Sequence, residues 1–215
     1  VRRRIDSVVV TTVSPLGMWG SVHLVKKLNG KIVWERWYPE WGGIAFDNQG
    51  NTLFESGQKL EKISPNGAVL WSYPSGKVPE ELCADNQGNV FRMLVVKRQD
   101  GASILKIVKL SPGGQLVWVR WRQVSKKSFM VVSAVAGEKA LGAKLDEDLV
   151  VVLSYDGTKL AEVKKPSSEI LSFFPMEHAN SWQQVKTGAT IEIVVSPPPR
   201  RQIIVSLSGA RNKAK

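Results

Sequence analysis

The chain has 215 residues, of which 43% are hydrophobic, enough for one domain with a buried core or for two small ones. Its net charge of +11 favours anionic partners such as nucleic acid, acidic glycans, anionic membranes or acidic proteins, unless the charge serves solubility alone. The single Cys83 excludes an internal disulfide and a multi-cysteine metal cluster, and two distant histidines argue against a zinc or haem site.

The first predicted strands follow a chain start without the pattern of a signal peptide. Val1 precedes three arginines rather than an apolar stretch, so the start is expected to reflect processing, a fragment or a cloning choice. Residues 7–13 are rich in Val and Thr and predict a strand. Residues 21–28 and 31–37 flank Asn29-Gly30, and Asn-Gly between apolar runs strongly indicates a β-hairpin.

The next two units each predict four strands joined by tight turns, which is one antiparallel propeller blade. Their predicted strands are residues 43–47, 52–56, 59–64 and 68–73, then 81–85, 90–97, 103–110 and 115–122. Asp-Asn-Gln-Gly-Asn forms the first turn of both units, at residues 47–51 and 85–89. These turns loosely resemble calcium loops, but each has one carboxylate where calcium needs about six oxygen ligands, so we interpret them as Asx turns.

Strand signals continue with weaker turns through the last two units. The predicted strands are residues 129–135, 140–145, 149–154 and 159–164, then 170–175, 189–196 and 202–207. Residues 176–186 are ambiguous, and the acidic run at residues 146–148 is interpreted as a solvated hairpin turn. Residues 209–215 are small and basic, and are expected to form a C-terminal tail outside the domain.

One short phrase recurs along the chain and predicts the architecture. It consists of an apolar residue, a tight turn of Pro, Asn and Gly, and an apolar run that often ends in Trp. Its turns contain Gly30, Gly67, Gly114 and Gly157, with a degraded fifth copy near Arg201, so successive turns are 37, 47, 43 and 44 residues apart. A period of about 40–45 residues built from short strands is typical of propeller blades.

We therefore predict an all-β fold, a β-propeller of about five four-stranded antiparallel blades. The predicted blades are residues 1–41, 42–79, 80–125, 126–166 and 167–208. The first unit lacks a strand, so either the chain ends share a blade or the ring is a piece of a larger one. We favour five blades closed by pairing of N- and C-terminal strands, because such closure removes exposed strand edges.

At these turns the chain resembles the quinoprotein-like and related bacterial β-propeller repeats. Blades of those proteins carry a D-x-x-G-N turn after the first strand and end in P-x-G-x-x-x-W. The matching residues here are 47–51 with 65–71 and 85–89 with 112–118, and residues 43–73 also resemble repeats of arylsulfotransferase-like propellers. The resemblance implies the propeller fold and blade geometry, but no particular activity.

The resemblance also indicates what an enzyme of these families would need. The quinone enzymes stack their cofactor on a Trp and often on a vicinal disulfide beside calcium, and one cysteine cannot form that disulfide. The sulfotransferases use a histidine nucleophile, for which only His23 and His178 are available. We expect no catalytic residues, no cofactor and no metal, and we keep a small enzyme of either type as an alternative.

The strongest candidate binding residues accompany the Trp of the repeated phrase. Residues 34–37 and 118–121 both read Trp-x-Arg-Trp, and alternation along a strand places the first Trp and the Arg on one face. Arg beside an indole can stack on a base or sugar, which suggests an anion- or carbohydrate-binding stripe. The alternative is an outermost strand whose Trp packs between blades and whose Arg reaches water. The candidate side chains are Trp34, Arg36, Trp118, Arg120 and Arg122.

Further basic residues extend this candidate surface. Lys126 and Lys127 follow the third unit, and Arg200 and Arg201 lie in the fifth turn. Basic groups at both chain ends would meet if the terminal strands shared a blade. Such a patch would bind a polyanion in a salt-dependent manner, unless the charges are simply solvated.

The sequence thus favours a non-enzymatic β-propeller that serves as a structural or binding module in a surface, extracellular or virion assembly. Its expected partners are proteins of that assembly, and its basic face suits an anionic partner. The alternatives are a small enzyme of the quinoprotein or arylsulfotransferase type, and a protein that binds nucleic acid or acidic polysaccharide.

Overall fold

The computed structural model describes residues 6–13, 21–28, 31–39, 42–57, 59–76, 81–124, 131–137, 140–145, 149–164, 166, 185–187 and 190–195. All secondary-structure elements within these ranges are β-strands, so these ranges contain no helix that could cross a membrane. The strands are β1 (Asp6–Val13), β2 (Ser21–Leu28), β3 (Lys31–Tyr38), β4 (Ile44–Phe46), β5 (Thr52–Ser56), β6 (Lys59–Ile63), β7 (Val69–Pro74), β8 (Glu81–Ala84), β9 (Val90–Lys97), β10 (Ser103–Leu110), β11 (Leu116–Gln123), β12 (Val131–Ala136), β13 (Leu141–Leu145), β14 (Leu149–Leu153), β15 (Lys159–Lys164), β16 (Val185–Thr187) and β17 (Thr190–Val195).

Three four-stranded antiparallel sheets follow the chain in order. The second sheet is β4-β5-β6-β7, the third is β8-β9-β10-β11 and the fourth is β12-β13-β14-β15. Their strands begin and end within two residues of the bounds predicted from the sequence. The all-β class and the four-stranded antiparallel sheets are therefore confirmed, and they have the form of propeller blades.

The first sheet combines strands from distant parts of the chain, in the order β16-β17-β1-β2-β3. Strand β17 pairs antiparallel with β1, from Val8 opposite Val195 to Val13 opposite Thr190. The Trp of the repeated phrase lies in β3 as it does in β7, so β1 to β3 correspond to the last three strands of a blade. Strand β17 thus takes the place of the strand that the first unit lacks.

This arrangement contains the predicted pairing of N- and C-terminal strands. Within the described residues there are four sheets, because β16 and β17 join the first sheet. The strands predicted at residues 170–175 and 202–207 lie outside the described residues. The count of five blades, the blade limits and the closure of the ring therefore remain predictions.

Neighbouring sheets pack face to face through buried apolar side chains. Phe54 of β5 packs toward Val22 and Leu24 of the first sheet, whereas the preceding Leu53 packs toward Val90 of the third. Successive side chains of a strand point to opposite faces, so a strand packed between two sheets is buried on both faces. All five residues of β5 are buried for this reason, and its buried Glu55 is paired with Arg92 of the third sheet.

The Trp and Gly of the repeated phrase meet across neighbouring sheets. Each turn glycine adopts a positive φ, between 81° and 92°, and lies against the aromatic side chain of the preceding sheet. The three contacts join Gly67 to Trp34, Gly114 to Trp71, and Gly157 to Trp118 with Arg120. A Cβ on Gly114 would lie 2.6 Å from Cδ2 of Trp71, closer than packed atoms can approach. The repeated phrase therefore links each of these sheets to the next.

Three alanine substitutions separate backbone strain from this contact. Gly114 and Gly50 have nearly the same φ, 82° and 79°, but Gly50 has only Pro65 Cγ within 4 Å of the added Cβ. Gly76 has no neighbouring atom within 4 Å. We expect Gly50→Ala to lower the free energy of unfolding by about 1–2 kcal/mol, and Gly114→Ala by about 2–5 kcal/mol. Gly76→Ala, the control, should change it by less than about 1 kcal/mol in urea titrations.

If Gly50→Ala and Gly114→Ala were equally destabilising, the indole contact would contribute nothing beyond the turn conformation.

Candidate interaction surface on the outer strands

The first Trp of each Trp-x-Arg-Trp phrase is a packing residue. Trp34 is 8% exposed and packs with Val22, Leu24 and Phe54 between the first and second sheets. Trp118 packs against the core between the third and fourth sheets, with its ring centroid 6.2 Å from that of Phe91. The sequence left two interpretations of these Trp residues, a binding stripe or packing between blades. The positions of Trp34 and Trp118 are those of packing residues.

Arg36 of the first phrase and Arg122, which directly follows the second phrase, bind backbone carbonyls of the next sheet. Arg36 Nη2 donates to Gly67 O at 2.8 Å, and Arg122 Nε donates to Gly157 O at 2.7 Å. Each guanidinium thereby satisfies the carbonyl of the turn glycine that contacts the neighbouring Trp. Sequence alternation placed Arg36 and Arg122 on the faces of Trp34 and Trp118, but it did not reveal these acceptors.

Alternate backbone groups of β11 point toward β10 or away from it, and those that point away are not hydrogen-bonded within the sheet. Val124 N–H donates to Ser103 O on the adjacent β10. Backbone groups alternate in direction along an antiparallel strand, so the carbonyls of Val119, Trp121 and Gln123 point away from β10. Since β11 is the last strand of the third sheet, these three carbonyls lie on its outer edge.

Cationic side chains occupy all three of these outward carbonyls. The donor and acceptor pairs are Arg120 Nη1 to Val119 O at 3.3 Å, Arg122 Nη1 to Trp121 O at 3.0 Å, and Lys159 Nζ to Gln123 O at 3.2 Å. Covering an edge with charged groups prevents another strand from pairing with it. The outer edge of β11 is therefore a row of cations rather than an open strand edge.

The second Trp of each phrase is the exposed one, and neither was among the residues predicted for the site. Trp37 is 60% exposed and stacks on His23, with centroids 4.1 Å apart and rings within 2° of parallel. Trp121 is 51% exposed, and Lys106 Nζ of the neighbouring strand lies 5.8 Å from its ring centroid. The signal was present in the alternation, which puts Trp37 and Trp121 on the face opposite the packed Trp.

Aliphatic side chains are exposed where each outer strand begins. A register shift precedes the Trp position in all four sheets, for example between Lys62 and Ile63 of β6 opposite β7. Such a β-bulge leaves a residue unpaired and turns side chains away from the regular faces. The exposed large apolar residues of the described chain all lie on the outermost strands: Ile32, Val33, Trp37, Val69, Leu70, Leu116, Val117, Trp121 and Leu160.

Basic charge is concentrated on the third sheet. Its strands β9, β10 and β11 carry six basic residues and no acidic residue. Arg92 is buried and paired with Glu55 of the second sheet at 2.7 Å, so it serves packing. Within the part of the chain that the structure describes, Arg120 and Arg122 form no ion pair. The outer strand β11 of this sheet thus combines two arginines with exposed apolar side chains.

Several predicted residues cannot be placed. Lys126, Lys127, Arg200 and Arg201 lie outside the described residues, as do His178 and the basic groups at both chain ends. The structure brings Arg120 and Arg122 together on β11 and places Arg36 on a different sheet.

The Asp-Asn-Gln-Gly-Asn turns are built as Asx turns. Asp47 Oδ1 accepts the backbone N–H groups of Gln49 and Asn51 at 2.9 Å, and its Oδ2 accepts Asn51 Nδ2 at 2.7 Å and Lys62 Nζ at 2.9 Å. Burial alone would raise the pKa of Asp47, but the bonds from Lys62 and Asn51 outweigh it and lower that pKa. The carboxylate is fully used in holding the turn, and the described residues contain no cluster of three potential metal ligands.

Comparison with known proteins identifies no family. No protein-family model and no curated protein matches the chain. Among solved structures, a protein of unknown function from Bacteroides caccae is 16% identical, with a TM-score of 0.38 over 75% of this chain and 59% of its own. BBS1N, solved in complex with ARL6DN, is 14% identical, with a TM-score of 0.46 over 68% of this chain and 49% of its own. BamB from Moraxella catarrhalis is 16% identical, with a TM-score of 0.34 over 71% and 57%.

The chain therefore spans between about half and three fifths of the length of these structures. Likenesses at this level of identity and superposition carry no functional information. The function has to be inferred from the residues of this chain.

The two Trp residues of β3 should differ in their effect on stability. Trp34→Ala removes a buried indole from the layer between two sheets and should lower the free energy of unfolding by about 3–5 kcal/mol. Trp37→Ala removes an exposed ring that stacks on His23 and should cost about 1 kcal/mol or less. Urea titration of both variants measures the difference, and equal losses would contradict the assignment of Trp34 to packing.

The lowered pKa of Asp47 predicts acid sensitivity. A carboxylate whose pKa is lower in the folded than in the unfolded chain stabilises the fold above the unfolded value, about 3.9, and this contribution is lost as the pH falls toward the folded value. Asp47→Asn should lower the free energy of unfolding at pH 7 by about 1–3 kcal/mol and reduce its dependence on pH below 4. Asp100→Asn is the control for loss of one carboxylate, because Asp100 also accepts a turn N–H, from Ala102, but is exposed at a hairpin tip.

An unchanged acid dependence in Asp47→Asn would show that the turn carboxylate is not a source of stability.

Proposed function

We propose that the chain is a non-enzymatic β-propeller module that binds protein partners in a larger assembly through the outer strands of its sheets. The observation that carries this proposal is the position of the exposed apolar side chains. All nine in the described residues lie on β3, β7, β11 and β15, and each of these strands exposes at least one. Three of the strands expose two adjacent aliphatic residues, and clustered exposed apolar groups are typical of protein interaction sites.

The basic face is the second part of the proposal. The outer strand β11 carries Arg120 and Arg122 together with the exposed Leu116 and Val117, so an anionic partner would gain both ionic and apolar contacts there. We place the module in a surface, extracellular or virion assembly, as a ring of about five blades related to quinoprotein-like and arylsulfotransferase-like repeats. Binding of nucleic acid or acidic polysaccharide by the same basic face is the alternative.

His23 and Cys83 are each held by neighbouring groups. His23 Nε2 lies 3.0 Å from Glu35 Oε2, and its ring is covered on one side by Trp37. Cys83 is buried, and burial raises the pKa of its thiol, which keeps the sulfur protonated and a poor nucleophile. Measured turnover on a small molecule that is lost on replacing His23 or His178 would favour the enzyme alternative instead.

Site-specific photo-crosslinking in the source cells tests the binding role. A photoreactive phenylalanine analogue is placed at Leu70 or Val117, which are exposed on outer strands, and at Gln99, which is exposed on a hairpin tip. We expect discrete crosslinked species of defined mass from Leu70 or Val117 and none from Gln99. Crosslinks of equal yield from all three positions, or from none, would contradict the proposal.

A further inference from the structure

We infer that the outer edge of β11 binds an acidic segment of a protein partner that also carries apolar side chains. The β11 strip, as we name it, consists of Leu116, Val117, Arg120, Trp121 and Arg122. This inference rests on the proposed function and specifies one partner and one of its binding sites. Three features support it: the positive charge of the strip, the occupied outward carbonyls of β11, and the order of side chains along the strip.

The arginines of the strip are held in position while most of their donors remain available. Arg120 uses one N–H group on Val119 O, and its guanidinium carbon lies 5.6 Å from the ring centroid of Trp118. Arg122 uses one on Trp121 O and one on Gly157 O. A guanidinium has five N–H donors in a planar fork that matches a carboxylate. The Cα atoms of Arg120 and Arg122 are one strand repeat apart, about 6.6–6.8 Å, so two fixed guanidinium groups can engage successive carboxylates.

The state of the edge determines how a partner can bind. Strand addition requires free outward carbonyls, and those of Val119, Trp121 and Gln123 already accept cationic side chains. Occupied carbonyls disfavour strand addition and favour a partner that binds through side chains. We therefore infer that carboxylates are the groups that the arginines of β11 recognise.

The apolar members of the strip favour a protein over a polyanion. Leu116 and Val117 are exposed at one end, and Trp121 is exposed four residues further along, about 13 Å from Val117. A sugar–phosphate or sulfated glycan chain gains little from an aliphatic pair. A peptide with alternating acidic and apolar side chains can use every member of the strip, and Trp with Arg is the composition of energetic hot spots.

Among the described outer strands, β11 alone carries arginines without an acidic residue. β3 also exposes Ile32, Val33 and Trp37 beside Arg36, but its Glu35 lies on the face of Trp37 and pairs with His23. β15 exposes Leu160, and its Lys159 pairs with Glu162. β7 exposes Val69 and Leu70 without any charged residue. Trp37 on β3 therefore provides a matched control for Trp121, with similar exposure and a different charge environment.

Fluorescence anisotropy with defined peptides tests the inference on the full chain. The probe is a labelled peptide of about ten residues that alternates Glu and Leu, long enough to cover the strip. Trp121→Ser and Arg120→Gln should each weaken its binding about tenfold. Trp37→Ser and Arg98→Gln, which remove an equally exposed Trp and an exposed Arg elsewhere, should change it less than twofold. Arg120→Glu should transfer preference to the peptide that alternates Lys and Leu, a result that unfolding cannot produce.

Three outcomes would overturn the inference. One is equal weakening by Trp37→Ser and Trp121→Ser. Another is equal binding of a Glu–Ser peptide, with complete displacement by heparin or oligo-dT, which would identify a general polyanion site. The third is absence of peptide binding while crosslinks from Leu70 and Val117 persist, which would leave the proposed function standing. Peptide binding without any crosslinked partner in cells would instead contradict the proposed function.

Discussion

The contact between a turn glycine and the Trp of the preceding sheet is the constraint on which the other packing depends. It requires a left-handed turn, because only that conformation brings the glycine Cα against the indole, and it requires a residue without Cβ. The same turn directs its carbonyl outward, where Arg36 reaches Gly67 and Arg122 reaches Gly157. The repeated phrase thus supplies both the Trp and the Gly of each contact between sheets. This contact sets the distance between neighbouring sheets, which the apolar layers then fill.

The fold was readable from the sequence because its signals are local. The turns at Gly67 and Gly114, the Asx turns and the β-branched strands each depend on a few neighbouring residues. The pairing of β1 with β17 was predicted only as one of two possibilities, since strand partners far apart in sequence leave no local mark. The positions of the β-bulges were not predicted for the same reason, because a bulge depends on how two strands pair and twist together.

The candidate site was predicted only in part. The sequence singled out Arg120 and Arg122, which the structure places on one exposed edge, but it grouped them with Trp118, which is a packing residue. The phrase Trp-x-Arg-Trp contains two indoles on opposite faces, and alternation alone cannot say which face meets the next sheet. That choice follows from the long-range contact of Trp118 with Gly157, after which Trp121 must be the exposed ring.

The pairing of β17 with β1 also constrains the order in which the molecule can form. Three strands of the first sheet, β1 to β3, are synthesised long before β17, the strand that pairs with β1 and ends at Val195. At ordinary rates of translation the edge of β1 waits on the order of ten seconds for this partner. During that interval the edge of β1, a strand rich in Val and Thr, has no β17 to pair with. Synthesis of the C-terminal part is then the step that protects the N-terminal part from pairing with other chains.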